Sequence, residues 1–189
     1  MEQLHSKIAL QMDHQRIKEI GENIKRGEIA VIPTDTIYSI SCSAFNEKSV
    51  KKIYKIKNRS LKKPFIILIS SIKDLSLFNI NPNLKILKKY WPGKISIIMD
   101  CKEEKFKYLH RGKKSLAFRL PDNIDLIKII KISGPIVSSS VNTEGNKPAI
   151  NIKEAKEYFK NKVNFYIDKG PLKSKPSKII SLVGEVIRK

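Results

Sequence analysis

An α/β domain is the fold class that this sequence predicts, and three observations carry that expectation. Short β-branched runs alternate along the chain with segments whose apolar residues recur every three or four positions. Proline, glycine and asparagine punctuate the joins between them. Hydrophobic residues make up 41% of the 189 residues, enough to fill a core. No repeat, low-complexity tail or linker divides the chain, so residues 1–189 are read as a single domain.

Taken in order, Asp13 to Arg26 reads as a helix capped by Asp13, with Ile17, Ile20 and Ile24 on one face and Gly27 at its end. Strand Ile29–Ile32 follows and breaks on Pro33. A second helix runs from about Glu47 to Lys57, capped by Asn46, with Val50, Ile53 and Ile56 inward. The polar loop Asn58–Pro64 leads to Phe65–Ile69, a continuous apolar run that fits a strand buried on both faces. Asn81-Pro82 opens a short third helix with Leu84 and Leu87 inward, stopped by Trp91-Pro92-Gly93. Strand Ile95–Met99, a charged connection over residues 102–114, strand Leu116–Leu120 and helix Ile124–Ile132 come next. Strand Ile136–Ser139 feeds a loop rich in serine, asparagine and glycine. Helix Ile152–Phe159, strand Val163–Ile167 and a strand pair near Ile179–Leu182 and Glu185–Ile187 complete the chain.

The formal charge of +20 suggests a polyanionic partner such as RNA or a membrane surface. Its make-up points elsewhere as well: 32 lysines and only 6 arginines, the lysines scattered beside isoleucine and asparagine, as an A/T-rich genome would produce. The longest uninterrupted apolar run, Phe65–Ile69, is far short of the ~20 residues that span a bilayer. The opening residues hold no apolar block and no small-residue cleavage site, so no secretory signal is read and a cytoplasmic protein without membrane attachment is expected. Cys42 and Cys101 stand alone and read as buried thiols.

Polar residues cluster immediately after strands, where α/β sheets collect ligand groups. Thr34, Asp35 and Thr36 put two hydroxyls and a carboxylate beside Pro33, and Tyr38 adds a phenol; an ST-turn closing the strand explains the same residues. In KNRSLKKP, Lys57 and Arg59 end a helix; they either stabilise its dipole or clamp phosphates. WPGKIS carries Ser96 into a strand behind a Pro-Gly turn. Arg119 lies inside the apolar strand LAFRLP, and a buried guanidinium without a partner is costly, so it is expected to face a cleft or an anion. SSSVNTEGNKP, with Ser140 and Asn142, and KPSKI, with Ser177, are hydroxyl-rich loops of the kind that cradle phosphate or carboxylate oxygens. Neither a P-loop nor a GxGxxG fingerprint occurs. His5, His14 and His110 lie outside these loops, so a histidine relay is not expected, and no carboxylate cluster suggests a metal cage.

The order of these pieces is more specific than any one of them. A strand then PTDTxY, KxR, WPG, R-x-P, S-x-N and finally PS before a strand resembles the YrdC family, the threonylcarbamoyl-AMP synthases, over residues from about 13 to 188. The resemblance implies a twisted, mostly parallel mixed sheet with flanking helices and a concave basic face. It implies synthesis of threonylcarbamoyl-adenylate and pyrophosphate from L-threonine, bicarbonate or CO2, and ATP as substrate, with Mg2+. Partner proteins then pass the threonylcarbamoyl group to the adenosine next to the anticodon of tRNAs reading ANN codons. Carried over by motif, Lys57, Arg59, Ser96, Ser140, Asn142 and Arg188 would bind ATP. Thr34, Thr36, Tyr38, Arg119 and Ser177 would bind threonine, with no side-chain nucleophile. The chain departs from the pattern at Ser39, where glycine is usual, and at Asp35, Lys94, Asn123, Val141 and Lys178. An RNA-binding module that kept the fold and lost the chemistry is the alternative that the charge favours.

Overall fold

The computed structural model describes residues 12–188. His5 lies outside them. The described residues form a nine-stranded sheet in the order β7-β1-β2-β6-β3-β5-β4-β8-β9. The central strands are β1 (Ala30–Pro33), β2 (Tyr38–Ser43), β3 (Ile66–Leu68), β5 (Ser115–Arg119) and β6 (Ile136–Ser140). Flanking them are β4 (Ile95–Asp100), β7 (Phe165–Tyr166), β8 (Lys178–Ser181) and β9 (Val186–Arg188). The helices are α1 (His14–Lys25), α2 (Glu47–Lys57), α3 (Leu84–Tyr90), α4 (Lys107–His110), α5 (Ile124–Ser133) and α6 (Ile152–Phe159).

The sheet is mixed, as expected, but its balance is not the expected one. Five strand pairings are antiparallel, against three parallel. The reason is connection length. β1 and β2 are joined by residues 34–37, far too few for the crossover of a dozen or more residues that parallel neighbours need. β2 itself is an element that the sequence reading passed over, as is the 3-10 helix Ile72–Phe78, which buries Leu75 and Phe78. The third helix starts later than Asn81: Asn83 caps it, accepting from the Lys85 amide, and Leu84 at its first position is 52% exposed while Leu87 is fully buried.

Two apolar clusters sandwich the sheet. One contains Val50, Ile53 and Ile56 of α2, Ala155 and Phe159 of α6, and the strand residues Val31, Tyr38, Ile40, Cys42, Ile67, Phe118 and Val137. The other packs Ile17, Ile20 and Ile24 of α1 and Leu126, Ile129 and Ile130 of α5 against Ala30, Ile32, Leu68 and Ile136. Both helix pairs follow from their apolar spacing. Each of these four helices also has a side-chain cap: Asp13, Asn46, Asn123 and Asn151 accept from amides in the first turns of α1, α2, α5 and α6. On the α1/α5 side the apolar cover stops short, and the next residues on that face are hydroxylic or cationic. No helix among the described residues is long and apolar enough to cross a membrane.

α1 reaches α5 closely because Gly21 has no side chain: a Cβ there would lie 2.7 Å from Ile132 Cβ and 2.8 Å from its Cγ2. Gly21→Ala is therefore expected to destabilise the fold by about 1–3 kcal/mol through overpacking, outweighing the ~1 kcal/mol gain in helix propensity. A lowered urea midpoint would show it.

Candidate functional site

The cleft opens beyond the end of β1, where Pro33 hands the chain to a tight turn. Thr34 makes that turn: its Oγ1 accepts from the amides of Thr36 (3.1 Å) and Ile37 (3.2 Å) and donates to the Ile37 carbonyl (2.7 Å). The Thr34 proton is thereby used, so Thr36 Oγ1, 2.9 Å away, is the donor between the two hydroxyls. The ST-turn that closes the strand also brings Thr34 and Thr36 to the lining of the cleft. The turn starts β2, whose two-residue period then sorts its side chains. Tyr38, Ile40 and Cys42 enter the core, while Ser39, Ser41 and Ser43 take the opposite face. Ser39 Oγ meets Ser138 Oγ at 2.7 Å and Ser41 Oγ at 3.0 Å, giving the cleft a hydroxyl floor.

A cavity of about 140 Å³ stands over this floor, lined by Thr34, Thr36, Ser39 and Ser138–Ser140 together with Arg59, Arg119, Ser177 and Arg188. Arg119, 3% exposed, is held by Asp35 through Nη1–Oδ1 at 2.5 Å, both side chains being buried. The second Asp35 oxygen accepts from the Asp122 amide at 3.2 Å. Arg119 Nε is buried with no partner. Arg59 stacks over the Phe65 ring at 5.3 Å and spends its Nε–H on the Lys63 carbonyl at 3.1 Å. Arg188, from β9, donates to the Ser177 carbonyl at 2.7 Å. Ser177 in turn meets Ser96 Oγ at 3.0 Å.

Burial first, then the nearby positive charges of Arg59 and Arg119, lower the pKa of Arg188. Burial lowers that of Arg59 as well. Three guanidiniums thus share one cleft, and Asp35 already answers one of them. An anion placed in the cleft would relieve both desolvation and mutual repulsion. A second recess of about 300 Å³ adjoins the first, sharing Pro64, Phe65, Ile66 and Ile179, and is largely apolar, with Ile98, Leu116 and Ala117. Among the described residues no three His, Cys, Asp or Glu side chains converge, and Asp35 is tied to Arg119. These residues do not fit a cation held by the protein itself.

The family model named for Sua5, YciO and YrdC, described as telomere recombination, matches residues 22–189. The chain belongs to the Sua5/YciO/YrdC family. It is 31% identical over 184 residues to a Methanocaldococcus jannaschii relative, covering 94% of this chain and 87% of that one. It is 28% identical over 167 residues to the threonylcarbamoyl-AMP synthase of Bacillus subtilis, covering 86% of this chain and 48% of that one. The crystal structure of P. abyssi Sua5 complexed with L-threonine is similar to it with a TM-score of 0.84 at 26% identity, over 92% of this chain and 52% of that one. The chain thus spans about half the length of the latter two proteins.

Of the residues that the Sua5/YciO/YrdC motifs single out, Thr34, Thr36, Arg59, Arg119, Ser140, Ser177 and Arg188 line the cleft together. Four do not. Tyr38 is fully buried on the far face of β2, donating to the Gly170 carbonyl at 2.7 Å and accepting from the Lys169 amide at 2.9 Å, so it braces a loop. Ser96 lies beneath Ser177, fully buried. Asn142 faces its own turn, its amide group donating to the Asn146 carbonyl at 2.6 Å. Lys57 is 1% exposed and points at backbone oxygens instead of the cavity. The sequence reading missed Ser39, Ser138 and Ser139 as lining and Asp35 as the partner of Arg119. The alternation YSISCS was the available signal for the first of these.

Asp35→Ala would leave the Arg119 guanidinium buried without its counter-charge. Loss of about 3–5 kcal/mol of stability is expected, with Asp35→Asn less affected, as read from urea unfolding of the purified variants.

Proposed function

We propose that the chain condenses L-threonine, CO2 drawn from bicarbonate, and ATP into threonylcarbamoyl-adenylate, releasing pyrophosphate. The observation that carries this reading is the convergence of Arg59, Arg119 and Arg188 on one small cleft with a hydroxyl floor. An amino acid fits the deep end. Its carboxylate pairs with the Arg119 guanidinium, and Thr34, Thr36 and the serine floor supply polar contacts around it. The triphosphate takes the rim, where Arg59, Arg188, Ser140 and Ser177 stand. At about 140 Å³ the cleft is too small for a whole nucleotide beside an amino acid, since drug-sized ligands occupy roughly 300–1,000 Å³. The rest of the nucleotide extends into the adjoining apolar recess.

The reaction asks for placement and charge neutralisation, which this site offers. The threonine amine attacks CO2, forming the N–C bond and giving up a proton to yield a carbamate. A carbamate oxygen then attacks the α-phosphorus, and the bond to pyrophosphate breaks. No side-chain nucleophile enters, in keeping with a cleft of arginines and hydroxyls. Mg2+ commonly accompanies such transfers; with no protein cage for it, it would arrive on the phosphates. Carbamates and mixed anhydrides hydrolyse readily, so the enclosure of the deep end serves the product. Partner proteins acting on tRNA would consume the adenylate, and the +20 charge suits a working place near RNA.

Incubated with L-threonine, bicarbonate and Mg-ATP, the protein is expected to release pyrophosphate only when threonine is present. Arg59→Ala is expected to lower that rate by about 10²–10³-fold, the scale for losing one charge-stabilising donor, while the circular dichroism spectrum stays unchanged. Undiminished turnover in this variant would defeat the phosphate role of Arg59.

A further inference from the structure

β6 ends on Ser140, which lines the cleft, and residues 141–150 beyond it belong to no helix or strand. Something must fix their shape, and Lys57, the last residue of α2, does so from below. An ammonium has three N–H groups. Those of Lys57 go to the Ser140 carbonyl (2.5 Å), the Asn142 carbonyl (2.6 Å) and Asn142 Oδ1 (3.0 Å). Asn142 Oδ1 also accepts from Ser140 Oγ at 2.7 Å, so the same amide fixes the Ser140 side chain beside the turn. The Lys57 backbone contributes as well, its carbonyl accepting from the Glu144 amide at 3.1 Å. Glu144 then accepts from the Ser60 amide at 2.7 Å and pairs with Lys63, closing the two loops onto each other.

We propose that Lys57 is a positioning residue of the synthase reaction: its ammonium clamps the Ser140–Asn142 turn in the shape that receives the nucleotide and does not itself bind phosphate. The proposal rests on the reading of the cleft as a nucleotide site, and it replaces the phosphate role that the family resemblance implies for this lysine. Three donors are spent on three protein oxygens, and none is left for a ligand. The side chain is 1% exposed and absent from the cavity lining.

The charged groups facing Lys57 are Arg59, from the loop that follows it, and Glu144; α6 offers only the Phe159 ring, 5.9 Å from Nζ. Burial, with Arg59 adding to it and Glu144 opposing, brings the ammonium down from its ordinary 10.5 to about 7. A neutral amine would turn a lone pair toward one of the three oxygens, so the turn loosens as pH rises through 7. Global stability moves the other way. Between pH 7 and 10.5 the unfolded chain keeps a proton that the folded chain has shed, so this group's contribution to stability rises with pH. A local clamp and a general prop therefore have opposite pH signatures.

The test uses Lys57→Met, with Asn142→Ala as a second variant that removes one acceptor and leaves the lysine in place. Amide exchange of residues 140–146 in the ligand-free protein is expected to accelerate in both, with the sheet amides unchanged. Dissociation constants for adenosine, AMP and ATP are expected to rise by a similar factor for all three, about 10- to 100-fold, the scale of a charged hydrogen bond. The wild type is expected to lose adenosine affinity as pH rises above 7, and Lys57→Met to show no such step. Unchanged exchange would overturn the clamp. A loss that grows with phosphate number and spares adenosine would make Lys57 a phosphate ligand and overturn the proposal. Failure of the wild type to bind any of the three would overturn the nucleotide reading of the cleft, and this role with it.

Discussion

The two-residue side-chain period of the central strands is the constraint on which the molecule depends. In β2 it commits Tyr38, Ile40 and Cys42 to one side and Ser39, Ser41 and Ser43 to the other. The register of β2 with β6 carries that division across, pairing Ser41 with Ser138 and Cys42 with Val137. One side of the sheet thereby carries the larger apolar cluster. The other is covered by α1 and α5 over part of its area, and both recesses lie beyond that cover. A slip of one residue between β2 and β6 would put hydroxyls into the core and apolar groups into the cleft. Fold and site thus rest on the same register.

Electrostatics completes the division. The chain has 6 arginines against 32 lysines, and three of the six meet at the cleft. The lysines confer charge without focus, whereas the arginines concentrate it where desolvation strengthens each interaction. Asp35 makes that concentration tolerable by neutralising the most buried member, Arg119. The other two, held by the Lys63 and Ser177 carbonyls, keep their charge for whatever enters.

Much of this was legible in the sequence, and the omissions have physical causes. α1 and α2 were readable because caps and apolar spacing agree. β2 was not, because serines on its cleft face weaken β propensity, and their cross-strand partners at 138–140 are a hundred residues away. The parallel majority failed for a related reason, since the short β1–β2 turn imposes antiparallel pairing. At the site, Arg119 was legible as a charge in an apolar strand, but its counter-ion was not, because Asp35 reaches it only through the fold. Lys57 shows the limit of motif reading most clearly. A spacing identifies which lysine matters, and only three-dimensional packing tells which way its ammonium points.

The span of the cleft wall has one last consequence. It runs from Thr34, near the start of the sheet, to Arg188 on β9, an outer strand whose neighbours Val186 and Ile187 are 51% and 55% exposed. Such a border strand is prone to fray and to pair with foreign chains. A molecule that touched both Arg188 and the residues after β1 would tie this border strand to the interior of the sheet, so its release would leave β9 freer to fray.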